Sequence, residues 1–273
     1  MPMRAACYPF DVVTGDVPAN LASARIGLRS ALEQGVELLV LPEMWPAGFP
    51  REPSAELLAA SNQALQDLAS DAASARIQVV GSAHGGEAPR PFNRAHRLEG
   101  GVVHDLYDKV HLFSPTAEGM SFTAGTSAPP VFEWCGFQVA VVICYDLRFP
   151  ELVRAAFRAG AEVICVVAQW PQPRDPHWNG LVIGRAVESQ AYVVACNRVG
   201  TSVIGRREFE LVFPGLARIV SPGGETLALG DDRAKLVIAD LDVDVVRNLR
   251  RAVPVAKDER RDLYSAWANR PPE

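Results

Sequence analysis

Phe137-Gln138-Val139-Ala140-Val141-Val142-Ile143-Cys144-Tyr145-Asp146-Leu147-Arg148-Phe149-Pro150-Glu151-Leu152 is the stretch on which the fold turns. A nearly unbroken apolar run leads straight into a cysteine, as in a strand buried on both faces. Beyond it, Pro150 opens a segment with Leu152, Val153, Ala156 and Phe157 on one side and Gly160 as its stop, which predicts a helix. Strand, short turn, helix is the setting of a nucleophile elbow, and Cys144 stands at the turn. Immediately upstream, Val131 to Trp134 and Phe137 to Ile143 flank Cys135-Gly136 and read as a hairpin.

The same alternation extends in both directions. Arg4 to Pro9 reads as a strand, and Leu21, Ala24, Leu28, Ala31 and Leu32 mark a helix closed by Gly35. Val36 to Leu41 reads as a second doubly buried strand, ending in Pro42 and Glu43. A helix over Ser54 to Ser74 leads to a strand at Ile77 to Ser82, and Asn93 to Leu98 with Val102 to Tyr107 form a hairpin about Gly100-Gly101, directly before Lys109. Downstream, strand and helix alternate at Val163 to Ala168, His177 to Ser189 and Tyr192 to Asn197. Arg218 to Ser221 and Thr226 to Leu229 flank a Pro222-Gly223-Gly224 turn, and Lys235 to Asp240 supplies a late strand. Hairpins mixed with strand-helix units predict an α/β protein with helices outside sheet layers. No repeat, low-complexity tract or linker divides the chain, so one domain is expected over residues 1–273.

Composition narrows the function classes. About half of the 273 residues are apolar, enough for a sizeable core. The net charge of −5 and the scattered pairs Arg206/Arg207, Arg250/Arg251 and Arg260/Arg261 argue against nucleic acid as a partner. Apolar runs fall well short of the roughly 18 residues of a membrane span, and no secretory pattern opens the chain, so cytoplasm is the expected location. The five cysteines Cys7, Cys135, Cys144, Cys165 and Cys196 are odd in number and lack zinc-site spacing, which predicts reduced thiols.

Three ionisable groups stand where strands end: Glu43, Lys109 and Cys144. Pockets in α/β sheets lie beyond the carboxyl ends of strands, so the three can share one site. Singly, each has an ordinary alternative: a solvent-facing carboxylate, an exposed loop lysine, a small buried residue.

Taken in order, Val40-Leu41-Pro42-Glu43, Tyr107-Asp108-Lys109-Val110-His111-Leu112-Phe113 and Ile143-Cys144-Tyr145-Asp146-Leu147-Arg148-Phe149-Pro150-Glu151-Leu152 resemble the nitrilase or carbon-nitrogen hydrolase superfamily. Gly184 to Val193 resembles the helix-to-strand segment that follows the cysteine in that superfamily, and Pro254 to Tyr264 resembles its tail, so residues 254–273 are expected to form a C-terminal tail. The resemblance implies a four-layer α-β-β-α sandwich, with Glu43, Lys109 and Cys144 as catalytic triad and Glu118 as an additional active-site glutamate. It also implies homodimers or larger assemblies, with the elements that follow the nucleophile forming the subunit contact; the charged tail, which carries Val255, Leu263 and Tyr264, fits a segment laid across a neighbour.

That triad makes chemical sense for cleaving a non-peptide carbon–nitrogen bond. A free thiol titrates near 8.5, so Cys144 needs a base and a positive field to attack an amide, and Glu43 and Lys109 are placed to supply them. The Tyr145 backbone N–H and Lys109 are the expected donors to the oxyanion. No metal or organic cofactor is required. For Glu118 the alternative is an exposed loop glutamate. His111 and His177 are expected to be packed or surface groups. Asp146 and Arg148 are expected to form an ion pair holding the elbow, with pocket lining as the second possibility.

Trp170 to Trp178 and Cys196-Asn197-Arg198-Val199-Gly200 look most like bacterial omega-amidases, which hydrolyse the terminal amide of 2-oxo dicarboxylic acid monoamides. The far carboxylate of such a substrate suits an arginine fork. Arg174 is the first candidate and Arg148 the second, with Trp170 and Phe149 as an apolar wall. Two departures place pocket shape and substrate in question: Gly215-Leu216-Ala217 stands where relatives commonly carry a Gly-x-Ser step, and Thr201 to Phe213 is unlike the omega-amidase version. N-carbamoyl amino acids or other small amides are the alternative substrates, and a catalytically silent scaffold is the non-enzymatic one.

Overall fold

The computed structural model describes residues 2–204 and 208–268; the basic pair Arg206/Arg207 lies outside them. Strand β1 (Met3–Cys7) leads to helix α1 (Val17–Glu33), whose start is fixed by the Asp16 carboxylate accepting the Ala19 N–H at 3.1 Å and by a proline in the first turn. Gly35, at φ 67°, turns the chain into β2 (Leu38–Val40), which has no exposed surface. Leu32, expected in the buried stripe of α1, is 39% exposed because it falls at the helix end, past the stripe. Helix α2 (Ala55–Ala72) starts where the Ser54 hydroxyl accepts the Leu57 N–H, and β3 (Gln78–Gly85), β4 (Phe92–Glu99) and β5 (Val102–Asp108) follow.

The second half opens with β6 (Val131–Trp134) and β7 (Phe137–Ile143), the expected hairpin. Helix α3 (Pro150–Arg158), β8 (Val163–Ala168), α4 (Asp175–Ser189) and β9 (Tyr192–Asn197) come next. Parallel pairing aligns Ile143 with Val167 and Ala168 with Asn197. Beyond β9, strands β10 (Val199–Ile204) and β11 (Phe209–Pro214) form a two-stranded ribbon that the sequence pattern did not announce. Polar residues such as Thr201, Ser202 and Glu210 dilute its alternation. Strands β12 (Arg218–Val220), β13 (Thr226–Leu229) and β14 (Val237–Leu241) complete the sheets. Helix α5 (Val243–Ala252) also escaped the pattern, since Val246 is its one buried side chain.

Two six-stranded sheets result, ordered β14-β1-β2-β3-β4-β5 and β13-β12-β9-β8-β7-β6. They stack face to face, with α1 and α2 outside the first and α3 and α4 outside the second: the four-layer α-β-β-α sandwich. The period of two sorts the side chains. Ala5 and Cys7 join the core between the sheets, whereas Ala6 packs toward α1 and α2. Burying a Val, Leu or Ile side chain contributes about 1.5–3 kcal/mol, so β8 and the Val139–Ile143 part of β7, buried throughout, form a stiff base for the residues that follow them. The tail forms two short helices, Val255–Asp258 and Arg261–Ala268, and between them Glu259 is held by Arg154 and Arg158 of α3 in the same chain. Among the described residues no helix is long and apolar enough to cross a membrane.

Candidate active site

Cys144 follows β7 without a gap and sits at φ 41°, the left-handed region that a residue with a Cβ enters at a cost. A 3-10 turn, Cys144–Arg148, then leads into α3. Asp146, which has no exposed surface, ties this turn to the segment carrying Lys109. It accepts hydrogen bonds from the Tyr107 hydroxyl (3.1 Å) and from the backbone N–H groups of Val110 (3.2 Å) and His111 (2.8 Å), and it meets His111 Nδ1 at 2.7 Å. The Tyr107 hydroxyl in turn accepts the Ile143 N–H at 2.6 Å. Burial nevertheless raises Asp146 above the ordinary carboxylate value, against these hydrogen bonds.

The expected Asp146–Arg148 ion pair does not form, because Asp146 points into the protein onto these donors. Arg148 lies over the Trp170 ring at 4.7 Å, meets His177 Nδ1 at 3.0 Å and lines the cavity. Phe149 is also misplaced by the sequence reading. Its ring stacks on His111 at 3.5 Å, which makes that histidine a packed group and keeps Phe149 off the cavity wall.

Lys109, 1% exposed, follows β5, and its N–H donates to the Asn93 carbonyl at 2.8 Å. Its ammonium donates to Glu43 Oε1 at 2.8 Å and to both oxygens of Glu118 at 3.0 Å. Glu118 is buried, not a surface loop carboxylate, and also accepts the Phe113 N–H at 2.6 Å. Glu43 receives two further donors, Asn93 Nδ2 (2.8 Å) on Oε1 and the Gln169 N–H (2.9 Å) on Oε2. The Cys144 thiol lies at the same point and reaches the Gln169 carbonyl at 3.9 Å.

Burial opposes charge on Lys109, yet Glu118 and Glu43 together outweigh it and hold the amine well above its usual value. Burial raises Glu118, with Lys109 opposing and Glu43 reinforcing the shift. Burial likewise pushes the Cys144 thiol well above the thiol range, again with Glu43 reinforcing and Lys109 opposing. A thiol kept neutral beside a carboxyl group suits a nucleophile whose proton leaves in the step that forms the new bond. Among the described residues no cluster of His, Cys, Asp and Glu is arranged to hold a metal ion.

These groups floor a cleft of about 490 Å3, open mouth included. Trp170, Phe113, Arg148 and Arg174 wall one part, and Tyr145 lies beside Cys144. Ile204, Leu211 and Phe213 of the β10–β11 ribbon supply an apolar wall that the sequence reading did not find, although it marked their stretch as unusual. Gly215-Leu216-Ala217, marked for the same reason, is not on the cavity wall. The Gly215 carbonyl accepts Asn197 Nδ2 at 2.8 Å and the Leu216 carbonyl accepts Trp178 Nε1 at 2.9 Å, so these residues brace the loop instead. Asn93 and Gln169, both in contact with Glu43, were also missed. Neither carries a charge at a strand end, the signal on which the other site residues were found.

Comparison with known proteins gives a consistent result. The sequence profile of the family described as carbon-nitrogen hydrolase matches residues 4–251. A Bacillus subtilis protein named 2-oxoglutaramate amidase is 32% identical over 268 residues, covering 97% of this chain and all of that protein. The Escherichia coli protein named omega-amidase YafV is 34% identical over 254 residues, covering 92% of this chain and 94% of that one. Among solved structures, an amidase from Nesterenkonia sp. superposes with a TM-score of 0.84 at 30% identity, covering 97% of this chain and 96% of that chain. A variant of the Nesterenkonia enzyme, with the same TM-score and identity and covering 97% and 99% of the two chains, carries acrylamide added to its active-site cysteine.

Proposed function

Because the chain belongs to the carbon-nitrogen hydrolase family and is an amide-hydrolysing enzyme, we propose that it is an omega-amidase, releasing ammonia from the terminal amide of a 2-oxo dicarboxylic acid monoamide. The observation that carries the chemistry is the buried Lys109 ammonium, spanning Glu43 and Glu118 beside the Cys144 thiol. Cys144 attacks the amide carbon as Glu43 takes the thiol proton. The oxyanion that forms is stabilised by Lys109 and the Tyr145 N–H; one such donor contributes about 3–4 kcal/mol. Glu43 returns the proton to the leaving nitrogen, ammonia departs and a thioester stays on Cys144. Glu43 then deprotonates the water that attacks the thioester, the acid is released and the thiol regains its proton. Glu118 holds the ammonium in place between the two carboxylates. All the groups a silent scaffold would lack are present.

The substrate reading rests on Arg174 and Arg148. Among the described residues neither guanidinium is paired with a carboxylate: Arg174 lies over Phe113 at 5.2 Å and Arg148 over Trp170, both on the cavity wall. An acid with its carboxylate remote from the amide fits such a wall, and the names of the Bacillus and Escherichia relatives agree with it. The apolar side formed by Ile204, Leu211 and Phe213 favours a second reading, a neutral aliphatic amide; a Nesterenkonia variant was solved with butyramide. Ammonia release from 2-oxoglutaramate, 2-oxosuccinamate, a neutral aliphatic amide and an N-carbamoyl amino acid separates the readings. The omega-amidase reading expects the oxo-amides to dominate and Arg174→Ala to raise KM for them by about 10-fold or more, the worth of one charged hydrogen bond. Preference for the neutral amide, or an equal effect of Arg174→Ala on both, refutes it. A cytoplasmic homodimer or larger assembly completes the proposal; it fits five free cysteines and the exposed Val187, Val253 and Trp267. Light scattering of the purified chain tests the assembly, and a monomer would remove it.

A further inference from the structure

Arg198 has no exposed surface and no part in the reaction steps above. It follows β9, at the sheet edge that also carries Cys144 and Gln169. Its guanidinium donates to Gln169 Oε1 at 3.0 Å, to Ser202 Oγ at 2.8 Å and to the Asp11 carboxylate, and lies 4.4 Å from the centre of the Phe213 ring. With Oε1 engaged by Arg198, the Gln169 amide has one orientation, and its Nε2 donates to the Glu43 carbonyl at 2.8 Å. The Gln169 N–H donates to the Glu43 carboxylate and its carbonyl faces the thiol, so this residue touches both the base and the nucleophile. The neighbouring Asn197 clamps the next residue, accepting the Trp170 N–H at 2.6 Å and donating to the Trp170 carbonyl at 3.0 Å.

A buried guanidinium costs several kcal/mol to desolvate, and an apolar side chain packed on Phe213 would fill the same space without that cost. Burial lowers Arg198 to about 10 against the pull of Asp11. What the apolar replacement could not do is fix the Gln169 amide and join it to the ribbon that walls the cavity through Ser202 and Phe213. We propose that Arg198, acting through Gln169, is a positioning residue that holds Glu43 in register with Cys144 and couples that register to the β10–β11 ribbon.

The inference rests on Glu43 being the base, so Glu43→Gln is measured beside the Arg198 variants. Ammonia release is measured with the preferred amide and expressed per molecule of folded protein, the folded fraction being read from the cooperative thermal unfolding transition followed by circular dichroism. Arg198→Met and Gln169→Leu are each expected to lower kcat by about 10- to 100-fold with KM within about 3-fold, the scale of a displaced reacting group. The double variant is expected to be no slower than the slower single, because both remove one connection. Ser202→Ala, which removes one ribbon contact and leaves those to Phe213 and Gln169, is expected to lower kcat by no more than about 3-fold. If Arg198→Met does not fold, Arg198→Lys, which keeps a cation beside Asp11 but lacks the fork that spans Gln169 and Ser202, takes its place beside Gln169→Leu and in the double variant. Multiplicative losses in the double variant, a kcat for Gln169→Leu equal to wild type, or losses confined to KM overturn the inference. Full activity of Glu43→Gln would instead overturn the mechanism on which it rests.

Discussion

Alanine and glycine at position 144 remove the same thiol but treat the backbone differently. Cys144 sits at φ 41°, and a residue with a Cβ held in the left-handed region costs about 1–2 kcal/mol, which alanine keeps and glycine releases. Against this, glycine adds unfolded-state freedom of about 0.4–1 kcal/mol and loses up to about 0.8 kcal/mol of buried methyl. The terms cancel, so Cys144→Gly and Cys144→Ala should have equal stability to within about 0.5 kcal/mol, or about 1 °C in Tm for a chain of this size. Ala140 in β7, with no exposed surface and an ordinary strand backbone, is the control. There glycine has only the two losses, and Ala140→Gly should lower Tm by about 2–4 °C. Thermal unfolding followed by circular dichroism measures both pairs. A drop from Cys144→Ala to Cys144→Gly as large as the Ala140→Gly drop would show that no strain is stored at the nucleophile.

Three further outcomes follow from the site. Because burial and Glu43 push the thiol up, alkylation of resting Cys144 by iodoacetamide should keep accelerating past about pH 8.5, where an ordinary thiol levels off; a plateau there would mean a preformed thiolate. Asp146→Asn turns an acceptor-only group into one that faces the N–H groups of Val110 and His111 with an amide, and should cost about 2–3 kcal/mol in urea unfolding and lower kcat; wild-type values in both would remove Asp146 as the link between the Cys144 turn and Lys109. Lys109 is held above its unfolded value, so its stabilisation is complete below about pH 10.4 and falls as pH rises from there through the folded value. The stability gap between wild type and Lys109→Met should therefore be constant at neutral pH and narrow above that point, and a gap that widens with pH would contradict the assignment.

The parts of this molecule that could be read from sequence are those written in a strong local pattern. The enclosed strand ending in Cys144, the Pro150 and Gly160 limits of α3 and the hairpins about Cys135-Gly136 and Gly100-Gly101 all appear where the pattern put them. The β10–β11 ribbon did not, because its inner face interleaves Ile204, Leu211 and Phe213 with Ser202 and its outer face is solvated and mixed. Charged groups at strand ends announced Glu43, Lys109 and Cys144 as neighbours. The uncharged and distant partners Asn93 and Gln169 had no such signal. Asp146 was read through its sequence neighbour Arg148, whereas its actual partners, Tyr107 and the Val110–His111 backbone, are joined to it only by the packing of one sheet on the other.

A thioester on Cys144 would be captured by hydroxylamine in competition with water, so turnover in hydroxylamine shows whether the acyl group passes through the thiol. Wild-type protein turning over its preferred amide should yield the hydroxamate alongside the acid, with ammonia release matching their sum, and Cys144→Ala should yield none of the three. Acid as the sole product at high hydroxylamine, or ammonia release by Cys144→Ala at the wild-type rate, would contradict it.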